Sequence, residues 1–259
     1  MVTLQLRQIR VLAGQRVVLE DVDWQEFEAI LEELGDRRNT RLAYSKGTLE
    51  IMAPLLEHEV SKEMIGDLVK ILLEELDMDC ECFGSTTFKR QEMQQGIEPD
   101  NCFYIQHPER MRGKSRIDLS IDPPPDLAIE IDVTSKTQLD AYQALGVPEL
   151  WRYEAGSLRI DILQDNQYVQ SETSPTFPNF SIIEAVSRSV RQSKSAGRSA
   201  ALKAFRKWVR EKIASLSDSQ HFVSLHTDSP LWMSQHIVKN QLPTFSCAPL
   251  SLQIANHRC

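Results

Sequence analysis

Residues 123–135 read PPPDLAIEIDVTS, and this stretch decides the fold. Prolines at 123, 124 and 125 exclude a helix and a sheet interior, so the chain enters extended and a regular element begins abruptly at Asp126. From there polarity alternates with period two, the signature of a strand. Leu127, Ile129, Ile131 and Val133 fall on one face, and Asp126, Ala128, Glu130 and Asp132 on the other. The apolar face marks a central strand. Carboxylates crowded on one side of a buried strand repel and raise each other's pKa unless a cation or a set of donors compensates. A divalent metal would compensate; the alternative is an edge strand whose acidic face is simply wet.

The chain of 259 residues, 41% of them hydrophobic, can bury one sizeable core. Residues 1–186 hold 18 lysines and arginines against 34 carboxylates, residues 187–214 nine against one, and residues 215–259 two of each. These are net charges of −16, +8 and 0, and they suggest a domain over 1–186, a basic helical extension over 187–214 and a tail over 215–259. An acidic body argues against broad nonspecific nucleic-acid binding, whereas the basic segment can supply a local phosphate contact. No run approaches the ~18 to 20 apolar residues of a membrane span, and MVTLQLRQIR lacks the apolar core of a signal peptide. A soluble, cytoplasmic protein is expected, with no membrane partner. Cys80, Cys82, Cys102, Cys247 and Cys259 form no CxxC pair, which suggests reduced thiols and neither a disulfide framework nor a zinc site.

Asp23 and Glu26 have capping-box spacing ahead of the stripe Trp24, Phe27, Ile30, Leu31 and Leu34, so a helix is predicted from Asp23 to Gly35. A hairpin follows over 40–45 and 48–53 around Lys46-Gly47. The strongest helical period lies over 57–76, with Val60, Met64, Leu68, Ile71 and Leu72 as its stripe. His58, Glu59 and Glu63 occupy its first turns, where carboxylates gain from the helix dipole. Glu59 and Glu63 share a face, so either can instead lean toward a metal. Strands are predicted over 80–89, interrupted by Gly84, and over 100–105. The polar loop 106–117 carries Arg110, Arg112, Lys114 and Arg116. A short helix over 137–145 ends at Gly146, and a hairpin over 149–154 and 157–163 precedes a weaker strand near Tyr168. Without a regular βα repeat the class is α/β or mixed α+β, a central mixed sheet flanked by helices. Leu202, Phe205, Val209 and Ile213 stripe a basic helix over 198–213, which either docks on the acidic body or guides DNA. The tail has four of the six histidines at no zinc spacing, little period, and is expected to be poorly ordered.

Asp100 and Glu130 lie on two predicted strands, and adjacency would bring both within reach of one cation through oxygen ligands, the chemistry Mg²⁺ prefers. Such a site polarises a phosphodiester and lowers the pKa of a bound water. The strings GSTTFKR (84–90), GIEPD (96–100), PPPDLAIEIDVTS (123–135) and ALGVPELWRY (144–153) together resemble the Uma-two restriction-endonuclease family, over roughly residues 20–185. The resemblance implies a restriction-endonuclease-like fold of the PD-(D/E)XK superfamily and a DNA endonuclease dependent on Mg²⁺, with Mn²⁺ as a substitute. A homodimer is compatible with it. Pro99-Asp100 matches the PD, Glu130 the acidic residue of the second half-motif, and Glu59 the extra acidic ligand, with Asp132 a further candidate ligand. At position 132 the superfamily expects a lysine that orients the attacking water. Lys136 or Gln138 can supply a migrated equivalent, and Lys89 is a weaker candidate. The competing reading is a catalytically degenerate member that keeps the fold to bind nucleic acid or protein.

Overall fold

A computed structural model of the chain describes residues 6–225 except 36, 37, 85 and 132–135; the side chains at 7, 136, 137 and 218–225 also lie outside the described set. The chain divides into two compact units, Met1–Leu216 and Ser217–Cys259. The architecture below is that of the first; of the second, only the end of the last helix is described.

Strand β1 (Arg16–Leu19) precedes helix α1 (Trp24–Leu34), which begins where the capping box predicts. The Asp23 carboxylate accepts from the Glu26 amide at 2.8 Å, and the Glu26 carboxylate accepts from the Asp23 amide at 2.9 Å. Strands β2 (Arg41–Ser45) and β3 (Thr48–Met52) form the expected hairpin, with Lys46 and Gly47 both at positive φ, as a two-residue turn requires. Helix α2 (Leu56–Glu75) leads to the short strands β4 (Glu81–Phe83), β5 (Phe88–Arg90) and β6 (Gln95–Ile97). Strands β7 (Asn101–Tyr104) and β8 (Leu127–Ile131), helix α3 (Lys136–Leu145), and strands β9 (Glu149–Glu154), β10 (Ser157–Gln164) and β11 (Gln167–Ser171) follow. Helices α4 (Ile182–Ala196) and α5 (Arg198–Leu225) complete the described chain.

The strands form two sheets, ordered β1-β3-β2-β6-β5 and β11-β10-β9-β8-β7-β4. Strand β8 is central: it pairs antiparallel with β7 and parallel with β9, and α3 is the crossover that a parallel pair needs. All five of its residues are buried, so the wet edge-strand alternative fails. Its acidic face is smaller than the alternation suggests. Asp126 turns to cap the backbone amides of Ile105 and Gln106 at 2.6 and 3.0 Å, while Asp132 lies outside the described residues.

The single strand expected over 80–89 is two strands in different sheets. Phe83 pairs with Cys102 in the larger sheet and Phe88 with Ile97 in the smaller one. Alternation within a run carries no mark of its partner, which is chosen by the segments that dock beside it. Strands β1 and β6, unmarked in the sequence, are four and three residues long, too short to show a period.

The apolar face of β8, with Phe103, Trp151 and Tyr153, packs on Met64, Ile65 and Leu68 of α2 and on α4 and α5 through Val186, Val190, Phe205 and Val209. The opposite face packs Cys102, Ala128 and Leu150 on Ala141, Tyr142 and Leu145 of α3, and the same cluster takes in Ala43, Phe88 and Ile97 of the smaller sheet. Helix α1 covers the remaining face of that sheet through Trp24 and Phe27, the latter stacked on Tyr44 at 4.6 Å. A mixed sheet with helices on both faces is the restriction-endonuclease-like arrangement that the resemblance implies.

The boundary expected at 186/187 falls inside α4, and Ala201, Phe205 and Val209 of α5 belong to the same core as the sheet. Helix α5 starts at the expected Arg198 but continues to Leu225, past the expected end at 213. The tail from 226 lies outside the described residues. Among the described residues no helix is long and apolar enough to cross a membrane.

Candidate active site

Register brings the two predicted carboxylates together. Asn101 pairs with Ile129 and Cys102 with Ala128, so one further step sets Asp100 opposite Glu130 on the same face of an antiparallel pair. Both are buried, at 1% and 3% exposure. Asp100 Oδ2 accepts from the Ile131 amide at 2.9 Å and lies 3.1 Å from His58 Nε2, while Oδ1 is 3.9 Å from Arg41 Nε. The Glu130 carboxyl accepts from the Tyr142 hydroxyl and faces the Asp100 carboxyl across the strand pair. Burial, and then the Asp100 charge, hold Glu130 well above the usual carboxylate range, against the opposing pull of the Tyr142 bond. Tyr142 in turn is pushed up by burial and by the charge of Glu130.

The start of α2 supplies the other wall. His58, Lys62, Ile65, Val69 and Leu72 follow one another at helical spacing and are all buried, whereas Val60, assigned to the stripe from sequence, is 50% exposed. The helix lies so close to β7 that a Cβ on Gly66 would meet Asn101 Nδ2 at 2.9 Å. Asn101 uses that amide to donate to the Lys62 carbonyl at 3.2 Å, tying α2 to the residue next to Asp100. Glu59 Oε1 lies 3.5 Å from Arg41 and 3.7 Å from His58 Nδ1, and Glu59 Oε2 accepts from Lys62 at 3.2 Å. Among the described residues, His58, Glu59 and Asp100 offer a set of ligand atoms that all lie within 4.8 Å of one another. A cavity of about 280 Å³ opens beside them, lined by Arg16, Arg41, Glu50, His58 and Gln138 with an apolar wall that includes Met52 and Leu55.

The structure thus sets Asp100 opposite Glu130, gathers Glu59 with Asp100 and His58 in a set that does not include Glu130, and puts Gln138 on the cavity wall. Glu63 is exposed. Asp132 and the Lys136 side chain lie outside the described residues. Lys89 is not at the site: it sits on the smaller sheet and pairs with Glu28 of α1 at 2.6 Å. Sequence reasoning missed His58, Arg41, Lys62 and Tyr142. For His58 and Lys62 a signal existed, since polar residues continue a buried apolar row. For Arg41, brought in from a hairpin of the other sheet, there was none.

The sequence profile of the Uma2 family, described as "Putative restriction endonuclease", matches residues 24–191. A crystal structure of a "putative nuclease belonging to DUF820" from Anabaena variabilis ATCC 29413 is similar over 53% of this chain and 83% of that one, at 15% identity and a TM-score of 0.39. No curated protein matches.

Proposed function

The chain belongs to the Uma2 family, and from that premise we propose that it is a divalent-metal-dependent endonuclease that hydrolyses DNA phosphodiester bonds. The observation that carries this reading is the Asp100–Glu130 pair, two buried carboxyls that the register sets opposite each other on neighbouring strands. Such a pair fits a cation: burial and then the Asp100 charge raise the Glu130 carboxyl, and a divalent ion held by the two carboxyls would offset both. Bound there, the ion supplies Lewis acidity toward a phosphoryl oxygen and an attacking water.

The chain's own residues do the rest. The Ile131 amide and the Tyr142 hydroxyl fix the orientation of the two carboxyls, and Glu59 and Asp132 are further oxygen donors in this reading. Arg41 presents a planar guanidinium beside Asp100, suited to the non-bridging oxygens of a phosphate. Gln138, on the cavity wall, positions water by hydrogen bonding where a lysine would also activate it; Lys136 is the alternative for that role. A second reading, a non-catalytic nucleic-acid- or protein-binding module, is favoured by one observation. Arg41 and Lys62 already pair with Glu59 and Arg41 also stands beside Asp100, next to a motif whose position 132 holds Asp, not lysine.

Cleavage of plasmid and branched DNA with Mg²⁺ or Mn²⁺, comparing the wild type with Asp100→Ala, tests the proposal. Metal-dependent nicking that the substitution abolishes supports it. A wild type that binds DNA but cuts none of these substrates with either metal sinks it in favour of the binding module.

A further inference from the structure

The side chain nearest Asp100 across the mouth of the site is an imidazole. His58 is 5% exposed, and its Nε2 stands 3.1 Å from Asp100 Oδ2, while Glu59 completes a set of ligand atoms within 4.8 Å of one another. Two ligands at right angles on an ion with bonds of ~2.1 Å are ~3.0 Å apart. The His58–Asp100 spacing, which a direct ion pair of the two also has, fits two donors to one ion, with the closest approach of Glu59 being to His58 Nδ1 at 3.7 Å. Their supports are rigid: His58 is fixed in the buried row of α2, and Asp100 by the Ile131 amide.

We propose that His58 ligates the cation of this site through Nε2, together with Asp100 and Glu59, and that the site therefore takes a divalent first-row transition metal in preference to Mg²⁺. The inference rests on the metal-dependent reading above and specifies its cofactor. Mg²⁺ is held by hard oxygen donors and parts reluctantly with water, whereas an imidazole nitrogen strengthens binding along the series from Mn²⁺ to Ni²⁺. Arg41 stands 3.5 Å from Glu59 and 3.9 Å from Asp100, and Lys62 3.2 Å from Glu59, so the ion would take the place of these cations at the two carboxylates and free Arg41 for a phosphate.

The test is direct binding to the full chain, with Mn²⁺ and Mg²⁺ as the probes. Calorimetry gives the two affinities for the wild type, His58→Gln and Asp100→Ala, and pulsed electron paramagnetic resonance of the Mn²⁺-loaded protein reports nitrogen coordination. Glutamine reaches the position of Nε2 with an oxygen, so the donor set becomes all-oxygen while metal binding can persist. The expected result is Mn²⁺ binding at least ~10-fold tighter than Mg²⁺, the scale on which even outer-shell partners of a metal change affinity. A nitrogen signal is expected in the wild type, with the preference reduced and the signal lost in His58→Gln. Mn²⁺ and Mg²⁺ bound equally, with no nitrogen signal and with sensitivity to Asp100→Ala, overturns the role of His58 and leaves the metal-dependent reading standing. No binding of either ion by the wild type, or binding indifferent to Asp100→Ala, overturns both. The wild-type nitrogen signal decides even if the glutamine variant misfolds.

Discussion

Glu130 is the residue at which burial and chemistry conflict most. Its carboxyl is held above its ordinary value of 4.5, so the folded state keeps a proton that the unfolded chain releases. The stability this provides is complete below that ordinary value and is lost as pH rises through the folded one. In metal-free buffer the wild type should therefore weaken from mildly acidic toward neutral pH, by at most ~1.4 kcal/mol per pH unit for one proton. Glu130→Gln keeps an acceptor for Tyr142 and carries no ionisable proton, so its profile should be flatter over the same window. Urea unfolding of both proteins between pH 5 and 8 checks this, and parallel profiles would refute it. Gly66 makes a second prediction. Alanine there gains up to ~1 kcal/mol of helix propensity but drives a Cβ into Asn101 Nδ2, so the net change should be a loss of about 1 kcal/mol. A thermal melt of Gly66→Ala no lower than the wild type's would show that Asn101 swings aside freely.

At the scale of elements, α5 is held to the body by an apolar stripe and a row of ion pairs. Phe205 and Val209 are buried in the main core, Arg206 reaches Glu74 and Glu75 at 2.9 and 2.6 Å, and Arg210 grips Glu75 with two bonds of 2.7 and 3.0 Å. Arg198 pairs with Asp67, and Lys194 of α4 with Glu57. Four of the nine cations of 187–214, Lys194, Arg198, Arg206 and Arg210, thus pair with carboxylates of α2. Phe205→Ala should cost about 3 to 5 kcal/mol, as for other buried aromatics. Neutralising Arg206 and Arg210 together should lower the melting temperature while DNA affinity keeps its salt dependence. An unchanged melting temperature with a salt slope reduced by ~0.9 per lost phosphate contact would instead assign these cations to DNA. The hydrogen bonds from Arg210 and Arg206 depress Glu75 from 4.5 to about 2, so its contribution is present above pH 4.5 and fades as pH falls through that window. The Arg206/Arg210 double variant should accordingly lose less stability than the wild type on acidification from pH 5 to 2.

For the whole molecule, the first compact unit ends at Leu216, and the stretch beyond it carries little charge and no helical or strand period in its sequence after 225. Deleting 217–259 should leave the melting temperature within a few degrees of the full chain; a larger drop would place part of the core's support in that segment. What the sequence by itself determined is whatever depends on neighbours along the chain. The capping box at Asp23, the turns at Lys46-Gly47 and Ala155-Gly156, the period of α2 and the alternation of β8 are all local regularities, and each formed the element it predicted. The placement of Asp100 near Glu130 was also legible, because the family strings fix which strands they occupy. Only the tertiary structure decided the rest. The run 80–89 divides between two sheets, Asp126 caps a turn, and Lys89 goes to α1, since pairing and side-chain partners are chosen by segments distant in sequence. Arg41 comes from a hairpin of the smaller sheet and meets Asp100 because the two sheets pack against α3 together, and His58 comes from the head of α2 and meets it because α2 packs on the larger sheet. A carboxylate's neighbours along the chain carry no record of the cation or imidazole that long-range packing will set beside it.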